Sequence, residues 1–142
     1  MLHSFKAMQL ITVQSNIQAP VQKVWEFFTN PQHVINWNFA MPEWHCPSAT
    51  NQLEVGSEFH YIMAARDNSM SFDFWGTYQK IEIEKNIEIL LGDGRSMLVT
   101  FEMTDATTII TEKFEPEKEN PVEMQQAGWQ MILDNFKRYV EQ

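Results

Sequence analysis

Glu43, His45 and Cys46 bring a carboxylate, an imidazole and a thiol within four residues, the group types of a nucleophilic or metal site. A thiolate nucleophile needs a base within hydrogen-bond reach and a third group to orient that base. Neighbours in an extended run point to opposite sides, so His45 and Cys46 are badly placed to activate each other. A tetrahedral zinc site needs a second, spaced pair of ligands, which the sequence lacks here. The pair therefore reads as a loop histidine beside a buried thiol. His3, His33 and His60 are scattered, with no i, i+4 pair, and read as solvated or satisfied side chains. Glu58 and Asp73 fall on neighbouring predicted strands, with Glu102 and Glu112 further along. Acid–base catalysis needs two carboxylates in a dry cleft with separated pKa values. Asp73 has the parity opposite to Phe72 and Phe74, so it points to solvent, and no acid–base pair is expected. No catalytic residue, metal ligand or cofactor is expected.

The residues that recur with useful spacing are apolar. Aromatics make up 13% of the chain and methionines number 9, a large load of rings and flexible side chains that must pack in a core or around a pocket. Strand parity places Phe59, Tyr61, Met63, Phe72, Phe74, Tyr78, Met97, Val99 and Phe101 on one inward sheet face. Helical spacing puts Trp129, Ile132, Leu133 and Phe136 on the stripe facing it. Gln125 falls inside that stripe, where a polar group must find a hydrogen bond or face a wet cavity. Trp37 follows a second short helix, and Phe39 and Trp44 lie in an aromatic loop that could fold over the mouth as a lid. Gly128, in mid-helix, costs about 1 kcal/mol relative to alanine. Close approach to the sheet, or room for a ligand, would offset that cost.

Charge narrows the partners. The 142 residues carry 19 acidic against 10 basic side chains, a net charge of −9. Such a field repels phosphate backbones and anionic headgroups, which argues against nucleic-acid binding and membrane insertion. The single cysteine allows no internal disulfide. No apolar run approaches the ~18 residues of a membrane span, and a cytoplasmic location is the default. Residues 1–8 read as a loose leader, and residues 9–142 as one domain.

The positioning elements follow from period and punctuation. Residues 10–17 alternate as a strand. Pro20 opens a helix carrying Val21, Val24, Trp25 and Phe28 on one stripe, and Asn30-Pro31 ends it. Val34, Ile35 and Trp37 belong to a second short helix, and residues 38–57 read as a loop. Strands follow from Phe59, Phe72, Ile87, Met97 and Thr107, turned at Arg66-Asp67-Asn68-Ser69, Glu84-Lys85-Asn86, Gly92-Asp93-Gly94 and Thr104-Asp105-Ala106. The phase slip between Tyr78 and Ile81 predicts a β-bulge near Lys80. Asn120-Pro121-Val122-Glu123 starts a long helix, with Asn120 as N-cap and Pro121 at the first helical position. Its apolar stripe is backed by Glu123, Gln130, Asp134, Lys137 and Arg138. The expected fold is α+β, a curved antiparallel sheet of six strands wrapped on a C-terminal helix.

That order resembles the START-like helix-grip superfamily, and more narrowly the branch named after the C-terminal domain of the activator of the heat-shock-protein-90 ATPase. The carriers are Ala19-Pro20, Val24-Trp25-Glu26-Phe27-Phe28-Thr29-Asn30-Pro31, Trp37, Val55-Gly56-Ser57-Glu58-Phe59, Phe74-Trp75-Gly76-Thr77-Tyr78 and Gly128-Trp129. The resemblance implies a cavity between sheet and helix. The leading expectation is a non-enzymatic protein that binds a small apolar or amphipathic ligand. The family name implies a second, a chaperone-associated stress-response partner. The superfamily also hosts cavity enzymes such as cyclases and hydrolases, a third. Ile62, Trp75 and Leu98 on the outer face leave monomer and homodimer open.

Overall fold

The computed structural model describes residues 9–142, so the leader expected at residues 1–8 lies outside the described residues. The chain runs β1 (Ile11–Ile17), α1 (Val21–Thr29), α2 (Pro31–Val34), β2 (Trp44–Asn51), β3 (Glu58–Ala65), β4 (Ser71–Glu82), β5 (Asn86–Leu91), β6 (Ser96–Thr104), β7 (Thr107–Phe114) and α3 (Val122–Val140). It is the helix-grip fold, with an antiparallel sheet ordered β1-β7-β6-β5-β4-β3-β2. Alternation decides the faces. In β1, Ile11, Val13, Ser15 and Ile17 are buried while their neighbours are exposed, and β7 buries Thr108, Ile110, Glu112 and Phe114.

The sheet has seven strands, not six. Part of the stretch read as a loop is β2, paired with β3 but with a register shift between His45 and Ser48. That shift contains Cys46-Pro47 and hides the alternation that marks a strand. It also suits an edge, because proline has no N–H to leave unpaired and discourages further strand addition. The bulge anticipated near Lys80 is present as a register shift between Tyr78 and Lys80.

Helix α3 grips the other edge. Gln126 Nε2 donates to the carbonyl of Thr12 (3.1 Å), and Gln130 Nε2 to that of Gln14 (3.1 Å). Gln130 Oε1 accepts from the Gln14 amide at 3.4 Å, Lys137 Nζ donates to the Asn16 carbonyl, and Glu141 accepts from the Gln18 amide at 2.7 Å. Positions 126, 130, 137 and 141 share one helical stripe, so a single face of α3 serves the free side of β1. Gln130 and Lys137, expected on a solvent face, are thus edge partners. The start of α3 also differs from expectation. The helix begins at Val122, Pro121 occupies the cap position, and the Asn120 side chain bonds Glu117 instead of capping.

Two glycines give opposite stability outcomes. A Cβ on Gly92 would come within 2.3 Å of the Trp75 indole, whereas one on Gly128 meets nothing within 4 Å. Gly128 therefore serves neither close approach to the sheet nor ligand space. Urea denaturation should show Gly92→Ala destabilised by about 1–3 kcal/mol through overpacking. Gly128→Ala should gain about 0.5–1 kcal/mol of helix propensity.

Candidate functional site

Between the inward sheet face and the N-terminal half of α3 lies a cavity of about 300 Å³. Its walls come from β3 (Phe59, Tyr61, Met63), β4 (Phe72, Phe74, Tyr78), β5 (Ile87, Ile89) and β6 (Met97). Phe28 and Thr29 at the end of α1, Trp37 and Asn38, and Gln125, Trp129 and Ile132 on α3 complete them. Arg95, Glu112 and Glu117 also line it, and Phe72, 50% exposed, stands at the mouth.

Eleven of the wall residues expected from sequence are therefore brought together: Trp37, Phe59, Tyr61, Met63, Phe72, Phe74, Tyr78, Met97, Gln125, Trp129 and Ile132. Val99, Phe101, Leu133 and Phe136 sit instead in the packed core beside the cavity. Phe101 packs edge-on against Trp25 (5.1 Å between ring centroids), and Phe136 against Trp37 (4.7 Å). Phe39 and Trp44 do not line the cavity. The Phe39 carbonyl accepts a hydrogen bond from Asn135, and Trp44 lies 6.1 Å from Phe72, outside the cavity wall.

Most polar groups in the wall are already engaged. The Gln125 amide accepts from the Glu117 N–H (2.9 Å) and donates to the carbonyls of Glu117 (3.1 Å) and Asn120 (2.7 Å). It thereby fastens the segment before α3 onto the helix, which resolves its place in the apolar stripe. Asn51 Nδ2 donates to the Thr29 carbonyl (2.7 Å) and the Tyr61 hydroxyl (3.1 Å). Burial raises the phenol pKa values of Tyr61 and Tyr78, so both stay neutral. Asn38 Nδ2 approaches Met63 Sδ at 3.2 Å.

Glu112 is different. It lies on the inward face of β7 between Val13 of β1 and Val99 of β6, and is 7% exposed. It was not among the wall residues expected from the sequence. Burial alone pushes its acid up to about 8. Parity was the available signal, because Glu112 is in phase with Ile110 and Phe114. Phe28, Thr29, Asn38, Ile87, Ile89, Arg95 and Glu117 were missed as well; their place in the wall depends on how the elements cross, which no local pattern encodes.

The other chemical candidates stay outside the cavity wall. Cys46 is buried, its thiol facing the Ser48 carbonyl at 3.4 Å, and burial pushes its pKa up, away from a nucleophilic thiolate. Glu58 and Asp73 flank His60 on the outer face, at 2.8 and 2.7 Å, and His60 stacks on Trp75. Asp73 and then Glu58 raise the imidazole pKa. His33 Nδ1 meets the Tyr139 hydroxyl at 2.7 Å, and His3 lies outside the described residues. Glu102 is exposed, and no trio of metal-ligating side chains forms among the described residues.

Comparison with known proteins agrees with this geometry. The family described as Activator of Hsp90 ATPase homolog 1-like protein matches residues 18–141. The solution structure of the AHSA1-like protein from Aeromonas hydrophila is 38% identical, covers 94% of this chain and 92% of its own, and superposes with a TM-score of 0.88. A protein from Cytophaga hutchinsonii is 47% identical over 92% of this chain and 91% of its own, with a TM-score of 0.81. A protein from Chromobacterium violaceum, 18% identical over 94% of this chain and 99% of its own, shares the fold at a TM-score of 0.83. No curated protein matches the chain.

The raised Glu112 pKa has a signed consequence for stability. A carboxyl that holds its proton more tightly when folded stabilises fully below its unfolded pKa, and that contribution is lost as pH rises through about 8. Denaturation between pH 5 and 8 should show unfolding free energy falling with pH, with Glu112→Gln flattening the slope by up to about 1.4 kcal/mol per pH unit. His60 shifts in the same direction, and its exposed, smaller share should persist in the variant.

Proposed function

The chain belongs to the family of activator of Hsp90 ATPase homolog 1-like proteins, and from that premise we propose that it is a non-enzymatic binder of a small apolar or amphipathic molecule. The observation that carries this reading is the unfilled, largely apolar cavity of about 300 Å³ under α3. Ligand sites of small molecules are concave and mostly apolar, with a few placed polar groups, and this cavity lies at the lower end of their size range. Apolar surface left unfilled in a core forfeits dispersion contacts that a guest would restore. Catalysis fits less well, because Cys46 is buried outside the cavity wall and no nucleophile–base pair lines it among the described residues.

A neutral reporter tests the reading. N-phenyl-1-naphthylamine should brighten on binding, and Ile132→Trp, which fills the cavity from α3, should weaken that binding more than tenfold. A reporter that stays dark with the parent protein, or binds both equally, would sink the idea.

The family's description favours a second reading, a chaperone partner. ATP turnover by the 90-kDa heat-shock chaperone, measured with and without the chain, addresses it directly. Stimulation that survives Ile132→Trp would place the chaperone activity on the outer surface, independent of the cavity.

A further inference from the structure

Resting on the cavity as a binding site, we propose that Glu112 is its polar anchor, and that its carboxyl donates a hydrogen bond to a carbonyl-type oxygen on a small uncharged lipophile. Among the described residues nothing donates to or accepts from this carboxyl, although it is buried to 7% exposure and lines the cavity. Its oxygens are open to the cavity, since Asn86 Oδ1 is the one fully enclosed side-chain oxygen or nitrogen without a partner among the described residues, and a polar group facing an apolar cavity gains from a partner there. Several other polar wall groups are held by neighbours. Gln125 uses its amide on the segment before α3, the Thr29 carbonyl and the Tyr61 hydroxyl accept from Asn51 behind the wall, and Asn38 faces Met63. Glu112 is thus a buried wall carboxyl that none of the described residues holds, and it is open to a guest.

Charge selects the class of guest. An anion would enter a protein of net charge −9 and meet a second acid. Arg95 is the basic side chain in the wall, but Asp93 holds its Nε at 2.8 Å and the Glu115 carbonyl accepts from its Nη1 at 3.1 Å. A cation would require Glu112 to ionise and both charges to be desolvated, with no further donors to complete the carboxylate's lone pairs. An uncharged acceptor needs only the proton that burial already keeps on the acid up to about pH 8. The flanking positions on β1 and β6 are Val13 and Val99, and α3 presents Gln125, Trp129 and Ile132 to the cavity. Charged neighbours in the wall are Arg95 and Glu117, and the other titratable groups are the neutral phenols Tyr61 and Tyr78. Over neutral and mildly alkaline pH the titration of the site is therefore that of Glu112.

Three probes of similar shape separate the outcomes: benzophenone (a ketone), diphenylmethane (its hydrocarbon counterpart) and benzhydrylamine (the amine). Binding is followed by the NMR shift of the Trp129 indole at pH 6.5 and pH 9.5. At pH 6.5 the ketone should bind about three- to tenfold more tightly than the hydrocarbon, the worth of one net hydrogen bond. That preference should fade at pH 9.5, persist at both pH values in Glu112→Gln, whose amide donates without titrating, and vanish in Glu112→Leu. Equal binding of ketone and hydrocarbon, a preference that survives in Glu112→Leu, or an amine that binds best with affinity rising with pH would overturn the anchor while leaving the cavity reading intact. If none of the three probes binds, both fail.

Discussion

Strand β1 has one side hydrogen-bonded to β7, and its other side would be bare if α3 lay anywhere else. A row of unpaired backbone groups is either costly or an invitation to another chain. Gln126, Gln130, Lys137 and Glu141 meet that row from one helical stripe, so the backbone of the first strand dictates both the position and the rotation of the last helix. With rotation fixed, the apolar stripe must face the sheet. Its C-terminal half closes tightly, since Leu133, Phe136 and Val140 are fully buried. Its N-terminal half stands over the cavity with Gln125, Trp129 and Ile132. The void is what remains where the helix has been aligned to an edge rather than pressed into the sheet.

The polar groups of the cavity fall on opposite sides of an apolar middle. Tyr61 and Tyr78 belong to β3 and β4, Glu112 to β7, and Ile87, Ile89 and Met97 lie on the strands between them. Three interstrand steps of about 4.8 Å separate β4 from β7, roughly 14 Å along the sheet. The two ends differ in kind. The Tyr61 phenol accepts from Asn51, whereas the acid is flanked by valines and satisfied by none of the described residues.

The element order was legible because each segment carried its own period and punctuation. Ile11, Val13 and Ile17 marked β1, Asn30-Pro31 stopped α1, and Gly92-Asp93-Gly94 turned β5 into β6. Strand β2 was not legible, because Cys46-Pro47 breaks its phase and its small polar residues lack strand character. The wall was partly readable from parity, which tells inward from outward but not cavity from core. Phe101 and Tyr61 both point inward, yet only the distance between helix and sheet at each level separates them. Glu112 was passed over as a wall residue, since charged groups are rarely buried without partners. Where local rules fail at such a position, function is a common reason.

Pairing β1 with β7 joins Ile11 to Phe114, and α3 then covers the outer edge of β1. The earliest strand can thus be completed only by the latest strand and helix. Hairpins from β3 to β7 can form locally as the chain is synthesised, but their inward face stays open until α3 has left the ribosome. High sequence separation of this kind slows folding and lengthens the exposure of apolar surface. For a newly made chain, the aromatic face that later encloses the cavity is first a sticky surface awaiting its cover.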